Sequence, residues 1–275
     1  MNALRRGRRT PALPAHTGPR PPWRWAALGA LLGLAIVLAL QAPARWLAAA
    51  VAAASGHRVQ LPEAQGTVWN GSARLLLSGG AGSRGRMALP GRVQWQLRPR
   101  GLGLHLQLRA DCCTPHGALA ASVAPRWGGA RVTLGDATSV WPAALLTGLG
   151  TPWNTVQPEG DLALQTEAFS LQWLAGRATV DGRAQFTARQ VASRLSPLKP
   201  LGSYHLTLTG GATPTLALHS LEGSALRLSG SGQWVGTRLR FTGEAQAAPG
   251  TEAQLFNLLN ILGRRQGDRA LISLG

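Results

Sequence analysis

From Val59 onward the chain alternates apolar and polar residues with a period of two, the repeat that sends successive side chains to opposite faces of a strand. Val93, Trp95 and Leu97 alternate with Gln94, Gln96 and Arg98. After a Pro99-Arg100-Gly101 turn, Leu102, Leu104, Leu106 and Leu108 alternate with Gly103, His105, Gln107 and Arg109. This predicts a hairpin with one apolar and one polar face. Similar runs recur at 73–77, 162–166, 178–180, 184–188, 204–208, 216–218, 226–228 and 239–241. Gly, Pro or Asp181-Gly182 punctuates them about every 8–12 residues, as in all-β architecture. The expected fold is therefore a strongly curved antiparallel β-sheet whose Leu, Val and Ala face needs a cover.

Three segments break the alternation and predict helices. Arg45–Ser55 is Ala-rich. The stretch 139–149 offers Ser139 as a cap and Pro142 in the first turn. In 252–262, Leu255, Leu258, Leu259 and Leu262 recur at helical spacing before Gly263, which marks a lid that packs on the sheet.

Trp25–Ala42 is different in kind, being uncharged and apolar throughout. Its 18 residues make a helix of roughly 27 Å, close to a hydrocarbon thickness of about 30 Å. Arg5, Arg6, Arg8, Arg9, Arg20 and Arg24 precede it without an acidic residue. That asymmetry keeps the N-terminal arm cytoplasmic and sends the rest of the chain across. Trp23, Trp25 and Trp46 near the two ends suit the interface. Ala42-Pro43-Ala44 also fits a signal-peptidase site, but the leader and apolar run are long for a cleaved signal. A retained anchor is the expectation, and on either reading the bulk is exported.

Charge changes the picture less than its size suggests. The formal net charge is +17 from 28 basic and 11 acidic residues. Six of the basic residues belong to the arm, and the others are spread along the strands instead of gathering in runs. No aromatic-basic signature or finger spacing accompanies them, so no nucleic acid is expected as a partner. Anionic lipid headgroups remain a possible match for a basic face.

Candidate chemistry is sparse. No G-x-S-x-G elbow or phosphate-binding Gly-Lys-Ser/Thr loop occurs, and the one lysine is Lys199. His57, His105, His116, His205 and His219 stand alone in sequence, the polar phase of strands accounting for His105, His205 and His219. Glu159 and Asp161 bracket Gly160 in an expected turn. Cys112 and Cys113 are adjacent, which leaves open two thiols, an intermolecular bridge or a vicinal disulfide. With His116 they still lack a fourth zinc ligand. No catalytic residue, metal, cofactor or small-molecule substrate is expected, and the chain is not expected to be an enzyme.

The sharpest local motif is Leu61-Pro62-Glu63-Ala64-Gln65-Gly66-Thr67-Val68-Trp69-Asn70-Gly71, whose Thr-Val-Trp centre predicts a strand between flexible glycines. This element resembles the L-P-x-x-x-G-T-x-W-x-G opening of the type II secretion system protein N family (general secretion pathway protein N). Further similarities follow in order: Trp95, Leu97 and Pro99 in a hairpin, Gly160-Asp161-Leu162-Ala163-Leu164, Pro200-Leu201-Gly202-Ser203-Tyr204, and Leu262-Gly263-Arg264 with Gly275. The resemblance implies a non-enzymatic accessory component of the apparatus that exports folded proteins across the outer membrane of a Gram-negative bacterium. It implies partners among the other secretion subunits and no catalytic residue. Gly66, Thr67, Trp69, Gly71, Trp95, Gly202, Tyr204 and Gly263 are the structural or interaction candidates it singles out.

The expected organisation is a basic cytoplasmic arm (1–24), a transmembrane helix in the inner membrane (25–42), a helical linker (43–57) and a periplasmic β-rich domain (58–275). An alternative function is lipid binding or lipid transfer in the periplasm on the apolar concave face. An outer-membrane barrel is disfavoured by the anchor and by strands nearer six residues long.

Overall fold

The computed structural model describes residues 23–275 except 81–84, 152, 176 and 237. Residues 1–22 of the N-terminal arm therefore lie outside the described residues, and Arg24 falls within the first helix. Helix α1 (Trp23–Leu40) is fully exposed and is long and apolar enough to cross a membrane. It stops two residues before the apolar run does. Pro43 explains the stop, because the residue before a proline is pushed out of helical backbone, and Pro43 then caps α2 (Ala44–Ala54).

A second compact unit, Gln41–Gly275, follows. Its first strands are β1 (Val59–Gln60), β2 (Gln65–Gly66), β3 (Asn70–Ala73), β4 (Leu76–Ser78), β5 (Arg86–Ala88), β6 (Val93–Arg100), β7 (Gly103–Ala110), β8 (Leu119–Arg126), β9 (Gly129–Leu134) and β10 (Ala137–Pro142). A 3-10 turn (Ala143–Leu149) and the short helix α3 (Trp153–Val156) lead into β11 (Glu159–Leu174), β12 (Arg177–Ala192), β13 (Gly202–Thr209), β14 (Thr215–Ser220), β15 (Leu226–Val235) and β16 (Arg238–Ala247). Helix α4 (Glu252–Leu262), β17 (Arg264–Gln266) and β18 (Arg269–Leu274) end the chain.

Fifteen strands form one antiparallel sheet, a meander from β6 to β16 extended by β18 and β17 at one end and by β3 and β2 at the other. The sheet does not close. Register keeps each phase on its own face, since directly opposed residues share a side. Leu164, Phe186, Leu206, Leu218, Gly230, Gly243 and Ile272 form one transverse apolar row. Thr187, His205, His219, Ser229 and Glu244 form a row on the polar side.

The two longest strands, β11 and β12, keep this phase through bulges. Leu162, Leu164 and Thr166 share a face with Leu171 across an odd step, which an extra residue near Ala168 (φ +45°) absorbs. Opposite it, β9 and β10 lie end to end along β11 and separate at Gly135-Asp136. Asp136 Oδ1 accepts the Ala168 N–H at 2.6 Å, and Thr166 Oγ1 donates to the Gly135 carbonyl at 2.8 Å. Gly182 (φ +83°) faces the same bulge, where a Cβ would overlap the Ala168 carbonyl.

Cover comes from both ends. Leu255, Leu258 and Leu259 of α4 are buried against Leu201, Leu226, Ala245, Ala247 and Ala270. Each such leucine contributes about 2 kcal/mol by leaving water. At the other end the small sheet β1-β4-β5 and the 3-10 turn pack with Leu89, Val93, Ala110, Cys113 and Leu145. Ala44 of α2 meets Ala73 and Trp95 in a third cluster.

Several expectations need correction. Ser139 is no cap: it is fully buried in β10, held by pairing with Leu164, and only 143–149 coil, as a 3-10 turn. Asp181-Gly182 lies inside β12, because the bulge beside it consumes the turn-prone geometry without ending the strand. Gly160 (φ +118°) likewise stays inside β11 and makes no turn, facing a bulge that Gln190 (φ +49°) makes in β12. The 73–77 run divides between β3 and β4, which belong to different sheets. β11 and β12 each span 16 residues, far beyond the short strands expected. In the first hairpin, Leu102 joins Gly101 (φ +60°) in the turn and is almost wholly exposed.

Candidate functional site

The motif around Thr67 folds as a tight turn, against the expectation of a strand. Gly66 pairs with Gly71, and between them the Thr67 N–H donates to the Asn70 carbonyl at 2.8 Å. Thr67 Oγ1 in turn accepts the Asn70 N–H at 3.0 Å. The local hydrogen bonds of a threonine hydroxyl compete with extension here, and Gly66 (φ +86°) supplies the left-handed backbone the turn requires. Trp95 seals the turn from beneath. Its ring is 5% exposed and lies on Gly71, and its Nε1 donates to the Val68 carbonyl at 3.0 Å. Trp69 joins through its carbonyl, which accepts the Leu97 N–H at 2.7 Å. Gly66, Thr67, Trp69, Gly71 and Trp95 thus come together as one constellation.

Gly202, Tyr204 and Gly263 lie elsewhere. Gly202 fits against Ser224, where a Cβ would sit 2.5 Å from Oγ. Tyr204 is buried and its OH donates to the Leu226 carbonyl at 3.1 Å. That burial pushes the phenol pKa well above its ordinary value, since the phenolate would lose its hydration. Gly263 ends α4 in extended backbone and packs against the Leu271 carbonyl.

The polar side of the sheet next to the Thr67 turn carries a hollow of about 540 Å³ lined by Asn70, Ser72, Arg92, Gln94, Gln96 and Arg109. Side-chain amides are both donors and acceptors, so this surface suits the hydrogen-bonding pattern of another protein better than a single charged ligand. Arg92 is its best-fixed member: it donates to the Glu63 and Ser72 carbonyls, at 2.8 and 3.3 Å, and pairs with the Glu63 carboxylate at 3.5 Å. Sequence reasoning missed Arg92, Asn70 and Arg109, which only the β3–β6–β7 register brings together. The same dependence on register hid the His205–His219 pair, with ring centroids 5.0 Å apart. The His205 Nδ1 shares a 2.9 Å hydrogen bond with Thr187 Oγ1. Among the described residues, no three His, Cys, Asp or Glu side chains gather as metal ligands.

Cys112 and Cys113 are joined in the structure as a vicinal disulfide, one of the readings the sequence left open. Cys113 is fully buried, and its carbonyl accepts the Val140 N–H at 2.9 Å. The pair thereby ties the β7–β8 connection to β10.

A family model described as type II secretion system (T2SS), protein N matches residues 57–272, nearly all of the second unit. The chain belongs to that family. Its Thr67 turn, both faces of the sheet and helix α4 all fall inside the matched span. Neither a curated protein nor a solved structure matches the chain. Protein N is a component of a secretion system and not a known enzyme family, so this T2SS chain works alongside other components of that system.

Proposed function

We propose that the chain is a non-enzymatic scaffold or adaptor of the type II secretion system that supports export of folded proteins across the outer membrane. Helix α1 spans the inner membrane once, with the arm cytoplasmic, and the β-rich body stands in the periplasm. The observation that carries this reading is the family match over residues 57–272, directly behind a helix of spanning length. The open sheet adds a physical means. Its polar hollow offers amides and arginines, and β17 leaves an edge free for a partner's strand. Arg265 on that edge is exposed and favours an acidic partner segment.

Photocrosslinking in living cells tests the proposal. Gln94, Gln107 and Arg227 are exposed on polar strand positions and accept a photoreactive residue without disturbing the core. Adducts with other secretion subunits support the adaptor role and map the docking face. Adducts with lipid alone, and no protein partner from any of the three sites, overturn it.

A further inference from the structure

Among the described residues, nothing covers the middle of the apolar face. Between the cover at one end and α4 at the other runs a groove of about 520 Å³, within the range of small-molecule sites. Leu162, Phe186, Leu206 and Leu218 form its floor, and Trp153 and Leu258 form its walls. Phe186 is 41% exposed, a large aromatic surface left in water on the apolar face.

The groove has unusually simple chemistry. Its only two hydroxyls are turned into the protein. Ser193 Oγ donates to the Val156 carbonyl at 2.6 Å, and the Tyr204 OH donates to the Leu226 carbonyl. The floor strands β11 to β15 are paired on both sides, so no strand edge there can bind a peptide backbone. An occupant must therefore be satisfied by apolar contact alone along its whole buried length, which an alkyl chain is. The surroundings add charge: Arg194 adjoins the lining residue Ser193, and Arg264 follows Leu262 closely. Both are exposed, and neither is in an ion pair among the described residues, though Arg194 Nη1 donates to Gln157 Oε1 at 2.8 Å. Lys199, by contrast, is occupied by Glu159 at 2.8 Å. The source of such a molecule is the bilayer that α1 would cross, to which the body is tethered at Gln41.

We propose that this groove holds one acyl chain of an anionic glycerophospholipid taken from the bilayer, with the headgroup on the arginine-bearing rim. The inference rests on α1 being a membrane anchor, as proposed above. It assigns the apolar face a ligand while leaving the polar face to protein partners.

The full chain is reconstituted in phosphatidylethanolamine vesicles containing a phosphatidylglycerol whose acyl chain ends in a diazirine. After irradiation, labelled peptides are identified by mass. Label is expected in two places, the 23–40 helix and the peptides carrying Phe186 and Leu206. Label on the helix alone overturns the groove assignment and leaves the anchor standing. Label on neither overturns the anchor and the groove assignment together. A diazirine phosphatidylcholine should label the helix equally and the groove less, and equal groove labelling overturns the anionic preference. Leu218→Trp fills the groove while keeping its apolar character, and should abolish groove label but not helix label. Persistence of groove label in that variant, with protease resistance unchanged, overturns the assignment. Phe186 replaced by a photoreactive phenylalanine gives the cellular counterpart. A phospholipid adduct supports the proposal, and a polypeptide, lipopolysaccharide or free fatty acid adduct overturns it.

Discussion

Replacing Gly71 by alanine tests whether the Thr67 turn is held by the tryptophan beneath it. The backbone at Gly71 is not left-handed, so alanine meets no conformational penalty there. The obstacle is steric: its methyl group would overlap the Trp95 ring and sit 2.8 Å from the Gln65 carbonyl oxygen. The ring cannot retreat freely, since it is buried and its Nε1 is bonded to the Val68 carbonyl. Overpacking of this kind costs about 1–3 kcal/mol. Loss of the indole hydrogen bond adds about 1 kcal/mol. Gly71→Ala should therefore destabilise the body by roughly 2–4 kcal/mol. Trp95→Phe removes the part of the ring that meets the new methyl, and with it the hydrogen bond. The double variant should then be more stable than the sum of the single effects by about 1 kcal/mol or more, as for residues in contact. The remainder of the Gly71→Ala cost persists, because the Gln65 carbonyl has not moved. Urea unfolding of the full chain in detergent, read by pulse proteolysis, measures all three variants. Additivity within about 0.5 kcal/mol would refute the claim that the two residues press on each other.

Three further outcomes are expected. Tyr204 is the only tyrosine, so phenolate absorbance reports on it alone. Its folded pKa is raised by burial, so its share of stability is complete below the unfolded value of about 10 and is lost as pH rises toward the folded one. Absorbance should stay flat through pH 10 until unfolding releases it, and Tyr204→Phe should remove that alkaline decline. Leu259→Ala should cost about 2–5 kcal/mol in denaturant unfolding, because the leucine is buried where α4 meets the sheet. Cys113→Ser should lower the thermal midpoint, since it places a hydroxyl among Leu89, Val93 and Leu145 at about 1–3 kcal/mol. Alkylation of the parent chain before and after reduction should find no thiols, then two.

Much of the architecture was legible because a period of two survives wherever a strand has one apolar face. Helix α4 was readable to the residue, as its leucines repeat at helical spacing between Thr251 and Gly263. The family was readable from the order of short motifs, and the match over 57–272 bears it out. Strand ends were another matter. A bulge reverses the alternation in the same way that a turn restarts it, so the runs 162–166, 178–180 and 184–188 looked like separate strands where two long ones run. Ser139 looked like a cap for a related reason: a polar residue before an apolar run has the same signature in a buried strand. The polar hollow and the histidine pair were beyond reach, because each needs strand registers that alternation alone does not set.

The bulges also bear on function. A residue inserted in β11 without a matching break between β9 and β10 would turn half of one strand's leucines toward water. The chain instead places both irregularities opposite each other and ties them with Asp136 and Thr166. Apolar residues consequently stay on one side from Leu104 and Val123, through Val132, Leu171 and Val180, to the row of Phe186 and Leu218. Covering such a face fully would need more helix than α2, α3 and α4 provide. Stability by itself is served by covering the two ends, where the buried clusters lie. An uncovered apolar middle costs solubility and contributes nothing to folding, and the acyl ligand proposed above would account for its continuity across bulged strands.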